Sequence, residues 1–377
     1  MPYAHRMYFC SMSIRIFIVA GELSGDAHGA LLMRELKLVF PHCIIDGIGG
    51  PAMQAEGLQS LHEFSQLNVS GFWEVVRNYS TLRSILNTCK HALIQGTYDV
   101  FIAVDYPGFN MRLGSFARSH GIPSVCYIAP QLWAWGESRI EQVKKAYDIL
   151  LTVLPFEPDF FAKHGISAPF IGHPLLDRPE MQSIAEKRDN SMICLMPGSR
   201  VQELQFHLPI LKPIAQTLSK DGFDPVFCVP KHLISLVHQQ CGHDIHISHD
   251  TQQIMKTAKA GIVKVGTSTL EAALMDMPFL SYYSTSWISY HISKSSITVP
   301  WIALPNILLH QSLIPEYIQD DAQPEHLIKG LGEVLSDAGQ SLQREGFSTI
   351  RNLLGGPGAS YRAAASVREF LSKGTIS

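Results

Sequence analysis

The sequence predicts an α/β protein built from two doubly wound parallel sheets. Three observations carry that prediction. Apolar runs of strand length alternate with segments of helical spacing, the alternation halts at a proline- and charge-rich stretch and then restarts, and polar, glycine-bearing turns follow several of the runs. A chain of 377 residues is long enough for two domains that each bury a core. The expected domains are 12–175 and 190–350, Rossmann-like and facing a central cleft, with a final helix at 356–373 packing back on the first.

Taken in order, the first strand is Ile14 to Ala20, followed by the turn GELSGD and the helical stretch AHGALLMREL. Strand-length runs continue at Cys43 to Ile48, Val100 to Val104, Val125 to Ile128, Ile149 to Val153 and Pro169 to Ile171. Helical spacing marks Leu31 to Leu38, Trp73 to Leu93 and Phe109 to Ser119 between them. The stretch His173 to Ser191 is the expected linker. Beyond it come strands at Met192 to Met196, Val226 to Val229, Ile245 to Ile247, Gly261 to Val265 and Phe279 to Tyr282. The tail Ala322 to Lys373 is helical throughout, broken at Gly355 to Gly358, and no fixed-period repeat exists.

Charged residues make up only 17% of the chain and apolar ones 46%, which leaves apolar surface for a greasy partner. A formal net charge of −3 gives no overall drive toward nucleic acid. The seven cysteines are scattered without C-x-x-C spacing and read as reduced core residues of a cytoplasmic protein. No window reaches the 18 or so apolar residues of a membrane span, and the first strand runs into a glycine turn rather than a cleavage site. The chain is therefore expected neither to span a membrane nor to be secreted. Met12 is a sensible start, with Met1 to Ser11 an expected disordered extension.

Strand, glycine turn and helix in succession collect free backbone N–H groups at a helix start. In GELSGD the glycines stand at 21 and 25, not in G-x-G-x-x-G spacing, so a plain dinucleotide site is the weaker reading. Glu22, Ser24 and Asp26 suit sugar hydroxyls or a proton, with an ordinary helix cap by Ser24 or Asp26 as the alternative. Asp105 in AVDYPGFN lies past a strand end, where Pro107 and Gly108 would turn it and Asn110 toward the cleft as a general base. Helix capping is its competing role. In MPGSR, Gly198 and Ser199 offer backbone N–H groups to a phosphate and Arg200 a planar fork for pyrophosphate, against a plain turn with a surface arginine. In GTSTLEAAL, Thr267 permits close backbone approach and Glu271 suits ribose hydroxyls, against a capped helix with an exposed glutamate. Trp133 and Trp135 in APQLWAWG, and Phe72 and Trp73 further upstream, could line an acyl or sugar pocket or simply fill the core. His243, His246 and His249 lie in a strand-like segment whose alternating faces keep them from converging, and no D-x-D pair is present. No metal and no cofactor are expected.

The ordered set GELSGD, GIGGPAMQAEG, NVSGFWEV, DYPGFN, APQLWAWG, LPFEPDFF, IGHPLLD, MPGSR with Glu203, GTSTLEAAL and LPNILL resembles the lipid-A-disaccharide synthase family over about residues 14–330. The resemblance implies the GT-B glycosyltransferase fold. It also implies transfer of 2,3-diacylglucosamine from its UDP donor to 2,3-diacylglucosamine 1-phosphate, forming a β(1→6) bond at the inner face of the cytoplasmic membrane. It assigns Asp105 as candidate base, Arg200 and Asn306 as donor-side residues and Glu271 as nucleotide binder, with Glu22, Ser24 and Asp26 in the polar turn of the first domain. A homo-oligomer is compatible with it. Where the family carries Ser-Gly-Thr before the ribose-binding helix, this chain has Lys264-Val265-Gly266-Thr267, and Lys264 is a candidate source of charge. Gln131 and Gly136 replace the usual Ser and Arg flanking the tryptophans. Another GT-B enzyme acting on UDP-GlcNAc, either a 2-epimerase or a cell-wall precursor glycosyltransferase, and an inactive nucleotide-sugar binder stand as alternatives.

Overall fold

The computed structural model describes residues 14–67, 78–182, 187–287, 290 and 299–374. The chain divides into two compact units, one running through Asp177 and resuming at Leu354, the other Arg178–Leu353. The first unit holds β1 (Arg15–Ala20), β2 (Ile44–Ile48), β3 (Gln59–Ser60), β4 (Val100–Val104), β5 (Ser124–Tyr127) and β6 (Ile149–Leu151), in the order β3-β2-β1-β4-β5-β6. The second holds β7 (Asp189–Met196), β8 (Asp224–Cys228), β9 (His246–Ser248), β10 (Ala258–Lys264), β11 (Phe279–Tyr283) and β12 (Glu316–Ile318), in the order β12-β11-β10-β7-β8-β9. All strand pairs are parallel.

The two orders are one winding used twice. In each, the strand order reverses between the first and fourth strands, β1 beside β4 and β7 beside β10. Ligands of such sheets bind outside the carboxyl ends of the strands at that reversal. Both sheets are covered on their faces and so read as near-continuous apolar runs: Ile16 to Ala20 and Val100 to Val104 in the first unit are wholly buried, as are Ile193 to Leu195 and Ala260 to Val263 in the second.

Several sequence expectations need adjustment. Pro169 to Ile171 makes only an isolated bridge, Phe170 to Thr152, because Pro169 lacks an N–H and Gly172 turns the chain at φ +83°. The edge strands β3 and β12 are too short and polar to announce themselves. The helix expected from Trp73 is described as Tyr79–Gln95; Phe72 and Trp73 lie outside the described residues, as do Met1 to Ser11. The expected linker includes residues 183–186, which lie outside the described residues, and its last three, Asp189 to Ser191, already belong to β7. It opens with the 3-10 turn Pro174–Asp177, whose Leu175 and Leu176 are buried, since an HPLL sequence has more to gain from the core than from water.

The last helix, Ala359–Gly374, packs on Leu23–Val39 through Ala359, Ala363, Ala364 and Val367, which share one helical face. Asp177 closes its start: Oδ1 accepts from the N–H groups of Gly358 (2.5 Å) and Ala359 (3.1 Å), and Oδ2 from that of Ser360 (2.7 Å). These are donors that the helix itself leaves unpaired. Asp177→Ala should therefore lower stability by about 1–3 kcal/mol. A denaturation midpoint equal to wild type would show that the cap does not hold this helix. Among the described residues no helix is long and apolar enough to cross a membrane.

Candidate active site

In the first unit, the turn after β1 and the turn after β4 lie side by side, because Ala20 pairs with Val104. Asp105 and Tyr106 both adopt left-handed backbone, at φ +50° and +52°, and Ile128 past the neighbouring β5 does so at +73°. Each non-glycine residue held there costs roughly 1–3 kcal/mol, and such strain gathers where function demands it. Surrounding bonds impose it. Asp105 N–H donates to Tyr127 O (3.1 Å), Asn110 Nδ2 donates to Asp105 O (2.7 Å), and the Tyr106 hydroxyl donates to Leu67 O (2.9 Å). The Tyr106 ring fills the space above Gly21, where a Cβ would stand 2.3 Å from it. Glycine at 21 is thus a condition for Asp105's placement.

Asp105 is half-buried, and burial, aided by the charge of Glu22, raises its pKa to about 6. A group so placed is ionised at neutral pH yet basic enough to take a proton. If it is the base, turnover should rise with pH along a limb near 6. Glu22→Gln should shift that limb to lower pH, since removing a neighbouring negative charge eases ionisation. A pH profile of kcat for both proteins checks this, and a limb that stays in place would remove Glu22 from the pair.

Three residues expected here are placed otherwise. Asn110 is fully buried and its amide also reaches Val19 O (3.2 Å), so it pins the turn instead of meeting a ligand. Asp26 is buried, its oxygens accepting from the N–H groups of Ala52 (2.9 Å) and Met53 (3.0 Å). It caps the helix Pro51–Ala55, and a Cβ on Gly50 would lie 2.6 Å from it, which gives GIGGPAM its meaning. Glu22, not Ser24 or Asp26, is the N-cap residue of Leu23–Val39, and Ser24 is half-buried in its first turn.

The two tryptophans after β5 part company. Trp135 is 52% exposed, whereas Trp133 stacks edge-on against Phe156 and its Nε1 donates to Glu157 Oε1 (3.0 Å). Glu157 is wholly buried, with Oε2 accepting from the N–H groups of Val153 and Leu154 (both 3.0 Å), and burial lifts its pKa to about 7. The LPFEPDFF segment thus anchors the tryptophan loop, a link no spacing rule exposes.

In the second unit the turns after β7 and β10 adjoin in the same way. Gly198 sits at φ +117° and Gly266 at +149°; Arg200 precedes the helix Val201–Lys220, and Gly266 precedes Thr267–Leu274. Glu203 organises the first turn: Oε2 accepts from Ser199 N–H (2.8 Å), Oε1 from Lys264 Nζ (2.7 Å), and Arg200 Nη1 lies 3.7 Å from Oε1. Burial pushes Glu203 up, but Lys264, the Ser199 N–H and Arg200 together hold it below the usual carboxylate range. A Cβ on Gly198 would stand 2.3 Å from its Oε2. The Ser199 N–H expected to face a phosphate therefore already serves an internal carboxylate.

One helical turn on, His207 is buried against the same loop. Its Nδ1 lies 2.6 Å from Pro197 O, and its Nε2 lies 3.1 Å from Ser284 N and 2.9 Å from Ser284 O. Burial lowers its pKa, which fits a neutral ring whose Nδ1–H donates to Pro197 O and whose Nε2 accepts from Ser284 N–H. The i, i+4 spacing of Glu203 and His207 was the available sign of this support. Thr267 is exposed at its helix start. Glu271 pairs with Arg178 (3.0 Å), and burial raises its pKa against that partner. Asn306, expected near the donor, is 0% exposed: Nδ2 donates to Ile314 O (2.8 Å) and Glu316 Oε1 (2.8 Å), and Oδ1 accepts from Ile314 N–H (2.7 Å). Its amide is spent on fastening the short helix Leu304–Leu309 to β12.

Residues 16–364 match the family model described as Lipid-A-disaccharide synthetase. The chain is 34% identical to the lipid-A-disaccharide synthase of Geobacter sulfurreducens, covering 96% of this chain and 98% of that one. It is 33% identical to lipid-A-disaccharide synthase 2 of Legionella pneumophila, with 95% and 97% covered. Among solved structures it resembles CalG4, the calicheamicin glycosyltransferase, with a TM-score of 0.61 at 15% identity over 96% of this chain and all but the same share, 99%, of that one. That last likeness concerns the fold, which is GT-B.

Proposed function

From the premise that the chain belongs to the lipid-A-disaccharide synthetase family, and so is a glycosyltransferase of lipid A biosynthesis, we propose the following reaction. The enzyme moves 2,3-diacylglucosamine from its UDP donor to the 6-hydroxyl of 2,3-diacylglucosamine 1-phosphate, with inversion. Asp105 takes the hydroxyl proton as the oxygen bonds to the anomeric carbon. The bond from that carbon to the diphosphate breaks, and UDP leaves with its new charge met by Arg200 and the N-terminal ends of the two helices, with Glu271 toward the ribose. The proton on Asp105 then passes to solvent.

The observation that carries this reading is Asp105: a carboxylate in strained backbone, at the reversal point of its sheet, with its pKa raised to about 6. Acyl chains would meet apolar side chains at the start of the helix Leu23–Val39 and on the loop past β5, where Leu23 is 47% and Trp135 52% exposed. Such surface suits work at the inner face of the cytoplasmic membrane. The test is mass spectrometry of products from the two acylated sugars. A disaccharide 1-phosphate with stoichiometric UDP is expected, while epimerised UDP-GlcNAc or no turnover would overturn the assignment. Because cationic and backbone groups serve the leaving diphosphate, activity should persist in excess EDTA. Loss that only magnesium or manganese restores would remove this account of UDP departure.

A further inference from the structure

The donor side of this reading rests on the turn after β7, and Lys264, at the end of β10, is bound into that turn through Glu203. We propose that Lys264 is a second diphosphate-contacting cation beside Arg200, held ready by Glu203 as a positioning residue. This rests on the reading of the second unit as the nucleotide half.

Lys264 has a fixed backbone, since it ends β10 in register with Tyr282 of β11. Its side chain is 16% exposed, so it is mostly covered but not sealed from solvent. Nζ sits 2.7 Å from Glu203 Oε1 and 3.5 Å from where a Cβ on Gly266 would stand. It thus lies between the turn that opens Val201–Lys220 and the glycine that opens Thr267–Leu274. An ammonium carries three donors, and the bond to Glu203 uses one.

The local charge sum favours an anion. Arg200 and Lys264 contribute two positive charges against one on Glu203, and two helix N-termini add partial positive charge. Glu203 cannot be a mere neutraliser in this arrangement. It also holds Ser199 N–H, so one carboxylate fixes the glycine turn and the lysine in a single geometry before any ligand arrives. A free lysine loses rotamer freedom when it grips a phosphate; one already ordered by Glu203 loses less.

Calorimetric titration of UDP and of uridine into the intact protein tests the proposal. Lys264→Met should weaken UDP binding about 10-fold, the scale of one charge-assisted hydrogen bond, and leave uridine binding unchanged. Lys264→Arg should recover most of the loss. The double variant Lys264→Met with Glu203→Gln should stay weak, because direct contacts are missing even though net charge is restored. Should Lys264→Met not fold, Lys264→Gln carries the same comparison. Wild-type affinity in Lys264→Met, recovery in the double variant, or an equal loss of uridine would each overturn the proposal. If the wild-type protein binds neither UDP nor uridine, the nucleotide reading itself fails and takes this inference with it, an outcome distinct from the other three.

Discussion

Asp105→Asn should lower turnover by roughly 10²- to 10⁴-fold, the usual loss when a general base is removed, while UDP affinity stays near that of wild type. Asparagine keeps the size and cannot accept the proton. It also tolerates left-handed backbone better than most residues, so φ +50° at this position is not a reason for the variant to unfold. Burial raises the Asp105 pKa, so the fold favours the protonated carboxyl. That contribution to stability is present at low pH and lost as pH rises through about 6. At pH 7 the variant should accordingly melt no lower than wild type, which separates a chemical defect from a structural one. The rival carboxylates are no longer equal. Asp26 is bound to two backbone N–H groups, which leaves Glu22 as the alternative, and Glu22→Gln in the same assay decides. Near-normal turnover in Asp105→Asn beside a collapse in Glu22→Gln would show that the base is Glu22.

Arg200→Ala should cost about 10²-fold or more in kcat, by analogy with removing one preorganised donor from a site of developing charge. The surroundings predict that the turn survives. Arg200 contributes its carbonyl to the start of Val201–Lys220, accepting from Leu204 N–H at 3.1 Å, and alanine retains that bond. Glu203 remains held by Lys264 at 2.7 Å. Losing a bond that strengthens as UDP departs should depress kcat more than it raises the donor KM. Arg200→Lys should recover only part of the rate, since an ammonium cannot reproduce the bidentate fork. Steady-state kinetics with the acylated donor measures both. A folded Arg200→Ala enzyme with unchanged kcat would make Arg200 a surface arginine.

The sequence by itself determined the alternation of strand and helix, a second run of strands beyond the proline- and charge-rich stretch, and the glycine-bearing turns that follow several strands. These are local properties: apolar runs, helical spacing and glycine at φ-demanding positions follow from neighbours in the chain. It also pointed to Asp105 and Arg200 through their place just past a strand. What each polar side chain does there was decided only by tertiary structure. Asp26 and Asn306 stand in motifs that look alike in polarity to their neighbours, yet the one caps a helix 26 residues away and the other binds Ile314 and Glu316. Glu203 and Lys264 are far apart in sequence, and only the pairing of β7 with β10 brings the lysine into the turn. The strain at Asp105 and Tyr106 likewise depends on Tyr127, Leu67 and the bare face of Gly21, none of them chain neighbours. The physical reason is that a buried polar group must find its hydrogen-bond partner wherever the fold supplies one, and one-dimensional spacing does not say where that is.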